Sequence, residues 1–241
     1  MEVREKIINI YHTNKGRYGY RRITMTLHSQ GITINHKTVE RLMRESGIKC
    51  QVRMKKYRSY RGQTGSIAPN VLKRNFMAVQ PNRKWATDVT EFSIFGQKRY
   101  LSPIIDLYNG EVISYTLYEH PNLLMVTDML KKAFDKIENL NELILHSDQG
   151  WHYQHPLYQN MLKSKGIIQS MSRKGNCLDN AVIENFFGLL KSELLYLHKF
   201  SSMEEFTGEL KKYVKYYNND RIKAKLKGMS PVQYRTQSSK I

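Results

Sequence analysis

The spacing of hydrophobic positions divides the chain into a helical beginning and a strand-rich remainder. Val3, Ile7, Ile8, Ile10 and Tyr11 recur at helical intervals and predict a short amphipathic helix over 3–11. A second helix is expected from Arg21 to Gln30, stopping at Gly31, a residue suited to the left-handed position after a helix end. Asn35 can cap a third helix from His36 to Glu45, with Val39, Leu42 and Met43 on its buried side. Two helices joined by a short glycine-containing turn suggest a helix-turn-helix, which leaves Lys37, Glu40, Arg41 and Arg44 exposed. That face either meets DNA or is the solvated side of an ordinary three-helix cap.

Residues 49–83 lack a period. Bases alternate there with Tyr57, Tyr60 and Phe76, and Gly62, Gly65, Pro69 and Pro81 interrupt the run. The segment reads as a basic linker, able to follow a phosphate backbone and stack on bases, or as a solvated tether. From Trp85 the pattern turns to strands, at 85–92, 100–107 and 111–118. Pro103 weakens the second, because it has no N–H to give a ladder. Asn109-Gly110 favours a type I′ turn, making strands two and three a hairpin. A helix over 122–139, a short buried strand at 143–146, a helix at 156–165 and a fifth strand at 167–170 follow. After a polar loop (173–179) come helices at 181–196 and 203–218. The expected fold is therefore α/β, a mixed five-stranded sheet flanked by helices and preceded by a small helical domain. The expected divisions are 1–48, the linker 49–83, and a core from 84 to 241.

Charge changes the picture. The chain carries a formal +18, and residues 1–83 hold 18 Lys/Arg against 4 Asp/Glu, a balance of +14; residues 84–241 hold 21 against 17. An excess so concentrated points to a polyanion, because each neutralised phosphate releases counterions. Anionic lipid is the alternative, but no amphipathic membrane helix accompanies the charge. No run of eighteen apolar residues is present, so a membrane-spanning helix is excluded. The first residues have no apolar signal-peptide region. Cys50 and Cys177 lack CxxC spacing, which excludes a disulfide framework and a cysteine-built zinc site and suits a cytoplasmic protein.

Two carboxylates sit on or beside the expected strands: Asp88 within the first, and Asp148 just after the fourth, in LHSDQG. Glu184 lies in the following helix, with thirty-five residues between it and Asp148. Strand ends place side chains next to one another over a crevice. Convergent carboxylates on a rigid frame suit Mg²⁺, and two ions on the order of 4 Å apart can grip the attacking and leaving oxygens of a phosphodiester. By itself the spacing is a weak indication, since the chain has 21 acidic residues.

Longer blocks supply the context. WATDVTEF (85–92), LHSDQGWHY (145–153), SMSRKGNCLDNAVIENFFGLLKSEL (170–194), YYNNDRIKAKLKGMSPVQY (216–234) and YGYRRI (18–23) resemble the transposases of the insertion sequence 3 family, over nearly the whole chain. The resemblance implies a ribonuclease H-like fold and a polynucleotidyl transferase that cleaves DNA and transfers strands. It implies an Asp-Asp-Glu set at Asp88, Asp148 and Glu184 holding two Mg²⁺ ions, with Mn²⁺ as a substitute. Lys191 matches the family's base seven residues after the glutamate. Seven residues make almost two turns, so Glu184, Lys191, Asn180 and Gly188 share a helix face, while Ile183, Phe187 and Leu190 turn to the core.

Arg173, Lys174, Asn176 and Asn180 are candidate DNA contacts; a solvated loop is their alternative, and Asn180 also suits a helix cap. His146 and His152 flank Asp148 and are expected to orient neighbours by hydrogen bonds rather than bind metal. Trp85 and Asp106 are read as structural. The expected partners are DNA (element ends and target), further copies of the chain on that DNA, and the product of an upstream reading frame, because the family's additional helix-turn-helix and coiled coil do not appear in these residues. Rival functions are a nuclease of the same fold that does not join strands, and a DNA-binding regulator with an inactive core.

Overall fold

The structure is a computed structural model that describes residues 3–51 and 65–238. Tyr57, Tyr60 and Gly62 of the expected linker lie outside the described residues. In chain order the regular elements begin with α1 (Val3–Thr13), α2 (Tyr20–Ser29) and α3 (His36–Glu45), then β1 (Lys84–Thr87), β2 (Thr90–Ile94), β3 (Gln97–Asp106) and β4 (Val112–Tyr118). Next come α4 (Leu123–Phe134), β5 (Ile144–Ser147), α5 (Trp151–Gln154), α6 (Pro156–Ser164) and β6 (Ile168–Met171). The run ends with α7 (Ala181–Leu190), α8 (Met203–Asn219) and α9 (Pro231–Ser238).

The chain forms two compact units. One comprises Met1–Lys55, Leu189–Lys199 and Lys215–Ile241; the other comprises Lys56–Gly188 and Phe200–Val214. The reading from sequence instead kept everything after residue 84 together. Side-chain chemistry in the first unit explains the difference. Ile7, Ile10, Ile23, Leu27, Val39 and Met43 make the apolar centre of α1–α3, and Tyr216 and Ile222 pack against it from the C-terminal segment. Glu193 is buried, and its carboxylate receives Nε and Nη2 of the equally buried Arg221 at 2.8 and 2.6 Å. Arg17 Nε donates to the Glu193 carbonyl at 2.9 Å, and Arg22 stands 3.5 Å from its carboxylate. Arg17, Arg22 and Arg221 also lie over the rings of Tyr216, Tyr18 and Tyr217. A carboxylate out of water has to be paired. Its partners come from 17–22 and 221, so those distant stretches belong with α1–α3.

Within this unit the helix bounds follow local chemistry. Asn35 accepts from the Lys37 amide at 2.9 Å and opens α3, and Gly31 takes φ +79° just beyond α2. The connection from α2 to α3 is six residues long.

The second unit is built on a sheet ordered β2-β3-β1-β5-β6, with β4 on β3. β3 takes β1 along 104–106 and β2 along 97–101, while β4 lies along 100–105. The expected first strand is therefore two, and the sheet is six-stranded rather than five. Thr87 faces Ile104 and Thr90 faces Leu101, so register is kept across the gap. Only Asp88 and Val89 leave the ladder, opposite Ser102 and Pro103, and Pro103 has no N–H to pair. The expected hairpin exists, but its turn is not type I′, which needs positive φ at both central residues. Gly110 has φ +72° and Asn109 does not appear among the positive-φ residues. The chain closes instead by the Gly110 amide bonding the Asp106 carbonyl at 2.7 Å.

Trp85, Ile104, Met125, Met129, Leu130, Leu145, Tyr158 and Leu162 join the sheet to α4 and α6 in one apolar core. Each such side chain contributes about 1.5–3 kcal/mol by leaving water. Asp106 is buried and accepts the amides of Asn82 and Tyr108, a structural role.

Removing one partner of the buried pair strands the other, which costs about 3–5 kcal/mol. Glu193→Ala should accordingly destabilise the first unit by that amount, seen as loss of amide-exchange protection in α1–α3 of the full chain. A change below about 1 kcal/mol would show that Arg221 does not need its carboxylate.

Candidate active site

The acidic site rests on the one parallel neighbour of β1. Lys84, Trp85 and Ala86 face Ile144, Leu145 and His146 on β5. Extended by two residues, that register sets Asp88 beside Asp148, each just past its strand's end. Neighbouring strands run about 4.8 Å apart, so the two carboxylates emerge side by side.

Local bonds aim them. Asp88 Oδ1 accepts its neighbour's amide, Val89 N, at 2.7 Å, and Oδ2 accepts Asn180 Nδ2 at 3.1 Å. Asp148 Oδ1 accepts the Gly150 amide at 2.8 Å. A Cβ at Gly150 would stand 2.9 Å from that oxygen, so a side chain there would push the carboxylate aside. Burial raises the Asp148 carboxyl above its ordinary range, against the Gly150 amide and His152, which lower it. Glu184, on α7, is raised by burial and then by the charge of Asp148. The charge of Asp148 thus reaches Glu184.

The histidines do structural work. His146 is buried; Nε2 meets the Asp179 carbonyl at 2.9 Å and Nδ1 meets Ser170 Oγ at 2.8 Å. A carbonyl only accepts, so Nε2 carries the proton and Nδ1 accepts from the serine. His152 bonds the Pro121 carbonyl at 2.9 Å. Tyr153 was not singled out from sequence. It is buried, and burial with the charges of Asp88 and Asp148 pushes its hydroxyl far up, so it stays a neutral phenol beside the acids. Its only mark in the sequence is its place at the end of LHSDQGWHY.

The other expected residues separate into groups. Lys174 is exposed, as are Lys37 and Arg44 on α3. Arg41 is exposed and pairs with Glu45 at 2.6 Å. Arg173 grips Asp179 through Nε and Nη2 at 2.9 and 3.0 Å, and Asn176 accepts from Arg74 at 2.9 Å. Asn180 reaches Asp88. Lys191 falls in the other unit, where the helical run continues as a π-turn over Lys191–Leu195. Of the helix-face residues, Gly188 is exposed with open space where a Cβ would be. Ile183, Phe187 and Leu190 are buried as expected, and so is Phe186.

Among the described residues, no three His, Cys, Asp or Glu side chains close on one point as a metal cage. The chemistry of the donors nevertheless fits a hard divalent cation. Asp88, Asp148 and Glu184 offer only oxygen, and Asn180 Oδ1 is buried without a hydrogen-bond partner among the described residues.

Family comparisons agree with this architecture. The model described as "Integrase core domain" matches residues 78–177, a second of that description matches 184–238, and "HTH-like domain" matches 1–56. The chain is 56% identical over 237 residues to the transposase InsK for insertion sequence element IS150 of Escherichia coli K12, covering 98% of this chain and 84% of that one. It is 32% identical over 234 residues to the transposase InsF for insertion sequence IS3A of the same organism, covering 96% and 81%. In fold it matches the catalytic core domain of HTLV-2 integrase, solved in complex with magnesium, with a TM-score of 0.54 at 19% identity over 65% of this chain and 98% of that one. The chain belongs to the insertion sequence 3 family of DNA transposases, with an HTH-like domain and an integrase core of ribonuclease H-like fold.

Proposed function

We propose that Asp88, Asp148 and Glu184 are the catalytic acids of this transposase and that they hold two Mg²⁺ ions while a DNA end is cut and joined to a new site. The observation that carries this reading is the shared register of Asp88 and Asp148 past adjacent parallel strands, with Glu184 near enough to feel Asp148. Bound magnesium would supply Lewis acidity, lowering the pKa of water or of a DNA 3′-hydroxyl and neutralising charge on the phosphoryl oxygens. The chain's own part is positional. Val89 N and Asn180 fix the two oxygens of Asp88, Gly150 fixes Asp148, and the Tyr153 phenol keeps the floor of the site closed without adding charge.

The DNA would lie along positively charged surface. On this reading Lys37, Arg41 and Arg44 face one stretch of duplex, and Lys174 and Lys191 are each further DNA contacts. The Arg41–Glu45 pair is exposed and worth little, so a phosphate can replace the glutamate. Joining two element ends calls for more than one copy of the chain on DNA, in the cytoplasm where that DNA lies. No described helix is long and apolar enough to cross a membrane.

Asp148→Asn and Glu184→Gln preserve shape but remove an anionic ligand. Each should lower end cleavage and strand joining by roughly three orders of magnitude, with duplex affinity nearly unchanged. Mg²⁺ and Mn²⁺ should support both steps, while Ca²⁺ permits binding with little cleavage. Joined product from pre-cut ends excludes a simple nuclease. Wild-type turnover by either variant, or full activity in excess chelator, would remove these acids from the chemistry.

A single helix-turn-helix making a few phosphate contacts discriminates sequence poorly. The 241-residue chain should therefore bind scrambled duplex nearly as well as its element's ends, and fusion to the product of an upstream reading frame should restore preference for the ends. Competition binding at physiological salt measures this. Strong end preference by the chain alone would assign recognition to its own α3.

A further inference from the structure

Residues 65–76 fall within the stretch expected to be a basic linker, and this strap of chain is instead bound to the sheet. The amides of Val71 and Leu72 both donate to Ser170 Oγ, at 3.0 and 3.1 Å, and Leu72 is buried. The Met171 amide reaches the Pro69 carbonyl, and Gln159 donates to that of Ser66. Lys73 and Arg74 then take φ of +46° and +64°. Two consecutive non-glycine residues in the left-handed region cost on the order of 1–2 kcal/mol each. Such strain persists only where surrounding contacts impose it.

What it achieves is the aim of one guanidinium. Arg74 Nε donates to Asp179 Oδ1 at 2.8 Å, and Nη2 donates to Asn176 Oδ1 at 2.9 Å. Asn70 adds a bond to Asp179 Oδ2 at 3.0 Å, and its own Oδ1 accepts the Lys73 amide at 2.8 Å, bracing the strained turn. Arg173 completes the set through its amide, Nε and Nη2. The Asp179 side chain has no exposed surface, and five donors saturate it. A second route reaches the same residue: Ser170 Oγ, which holds the strap, donates to His146, whose Nε2 donates to the Asp179 carbonyl. The next residue is Asn180, bonded to Asp88, and α7 with Glu184 begins directly after it.

We propose that Arg74, acting through Asp179, is a positioning residue for the catalytic carboxylates: the strap sets where Asn180 meets Asp88 and where the Glu184 helix starts. This rests on the reading of Asp88, Asp148 and Glu184 as the catalytic acids. Partners of this kind, one layer behind a metal site, typically change activity or metal affinity about tenfold to a hundredfold when lost. A lysine keeps the charge of Arg74 but cannot make its two-pronged contact.

The test uses the full chain with Arg74→Gln, Arg74→Lys and Asp179→Asn, alongside Glu184→Gln. Expected are a roughly tenfold to hundredfold fall in kcat for end cleavage in all three, a higher Mg²⁺ requirement, and duplex Kd in Ca²⁺ within about twofold of wild type. In metal-free protein, amide exchange over 177–184 should quicken about tenfold or more, a readout independent of turnover. A DNA-tethering role for Arg74 predicts the opposite: weaker Kd, a salt slope reduced by about one, and normal kcat in Arg74→Lys. That pattern, or wild-type kcat and exchange in both Arg74→Lys and Asp179→Asn, overturns the proposal. Should Arg74→Gln fail to fold, Arg74→Lys and Asp179→Asn decide by the same criteria. An active Glu184→Gln would instead refute the reading of the acids; an inactive one beside unaffected strap variants refutes only the positioning.

Discussion

The pairing of β1 with β5 is the constraint on which the site depends. It is the one place where the antiparallel half of the sheet meets the parallel half, and it sets Trp85 against Leu145. Because side chains alternate across a strand, a slip of one residue would turn one acid to the opposite face from the other. Trp85, Leu145 and Ile104 in the core hold that register, since any slip would bring polar neighbours inward. Packing energy thus keeps two like charges adjacent, an arrangement that electrostatics alone opposes. Burial raises the carboxyls of both Asp148 and Glu184, and the charge of Asp148 raises Glu184 further.

A second consequence concerns the basic residues. A charge of +18 invites the view that arginines are there for DNA. Several are committed to protein carboxylates instead. Arg173 and Arg74 saturate Asp179, holding its carboxyl far below the usual range, and Arg221 and Arg22 surround Glu193. Arginine suits both tasks, because its planar fork matches carboxylate and phosphate equally. Burial separates the two uses: Glu193 and Asp179 are enclosed, whereas the α3 bases stand against solvent.

How much of this was legible in the sequence depended on distance along the chain. The third helix could be read to the residue, because its period and its Asn35 cap are local. Asp148 could be placed just past a strand for the same reason, whereas Asp88 was read as lying within one. The break at Asp88 could not be placed, since the proline opposite it lies fifteen positions away and matters only once β3 is paired. The strap was missed for a stronger version of that reason. Its single buried leucine makes no period, and its partners Ser170, Asn176 and Asp179 are about a hundred residues off. Asn180 was noticed for its helix face, but its bond to Asp88 spans ninety-two positions.

The blocks at 18–23 and 216–234 marked the family without explaining themselves. Buried charge explains them. Arg22 and Arg221 reach Glu193 and lie over the rings of Tyr18 and Tyr217, and the Tyr18 hydroxyl also receives the Ile222 amide at 3.1 Å. A lone α1–α3 cap would leave Arg17 and Arg22 without Glu193, and the later stretches alone would leave the Glu193 carbonyl and the Ile222 amide without Arg17 and the Tyr18 hydroxyl. Neither end of the chain can satisfy its own polar groups, so the unit that carries α3 must draw on both. Its stability is then set by an ion pair whose halves lie twenty-eight residues apart and whose arginine neighbours lie more than 170 away. The module that presents α3 is therefore complete only once the C-terminal segment has been made, which is a constraint on folding order that the helix-turn-helix pattern by itself does not contain.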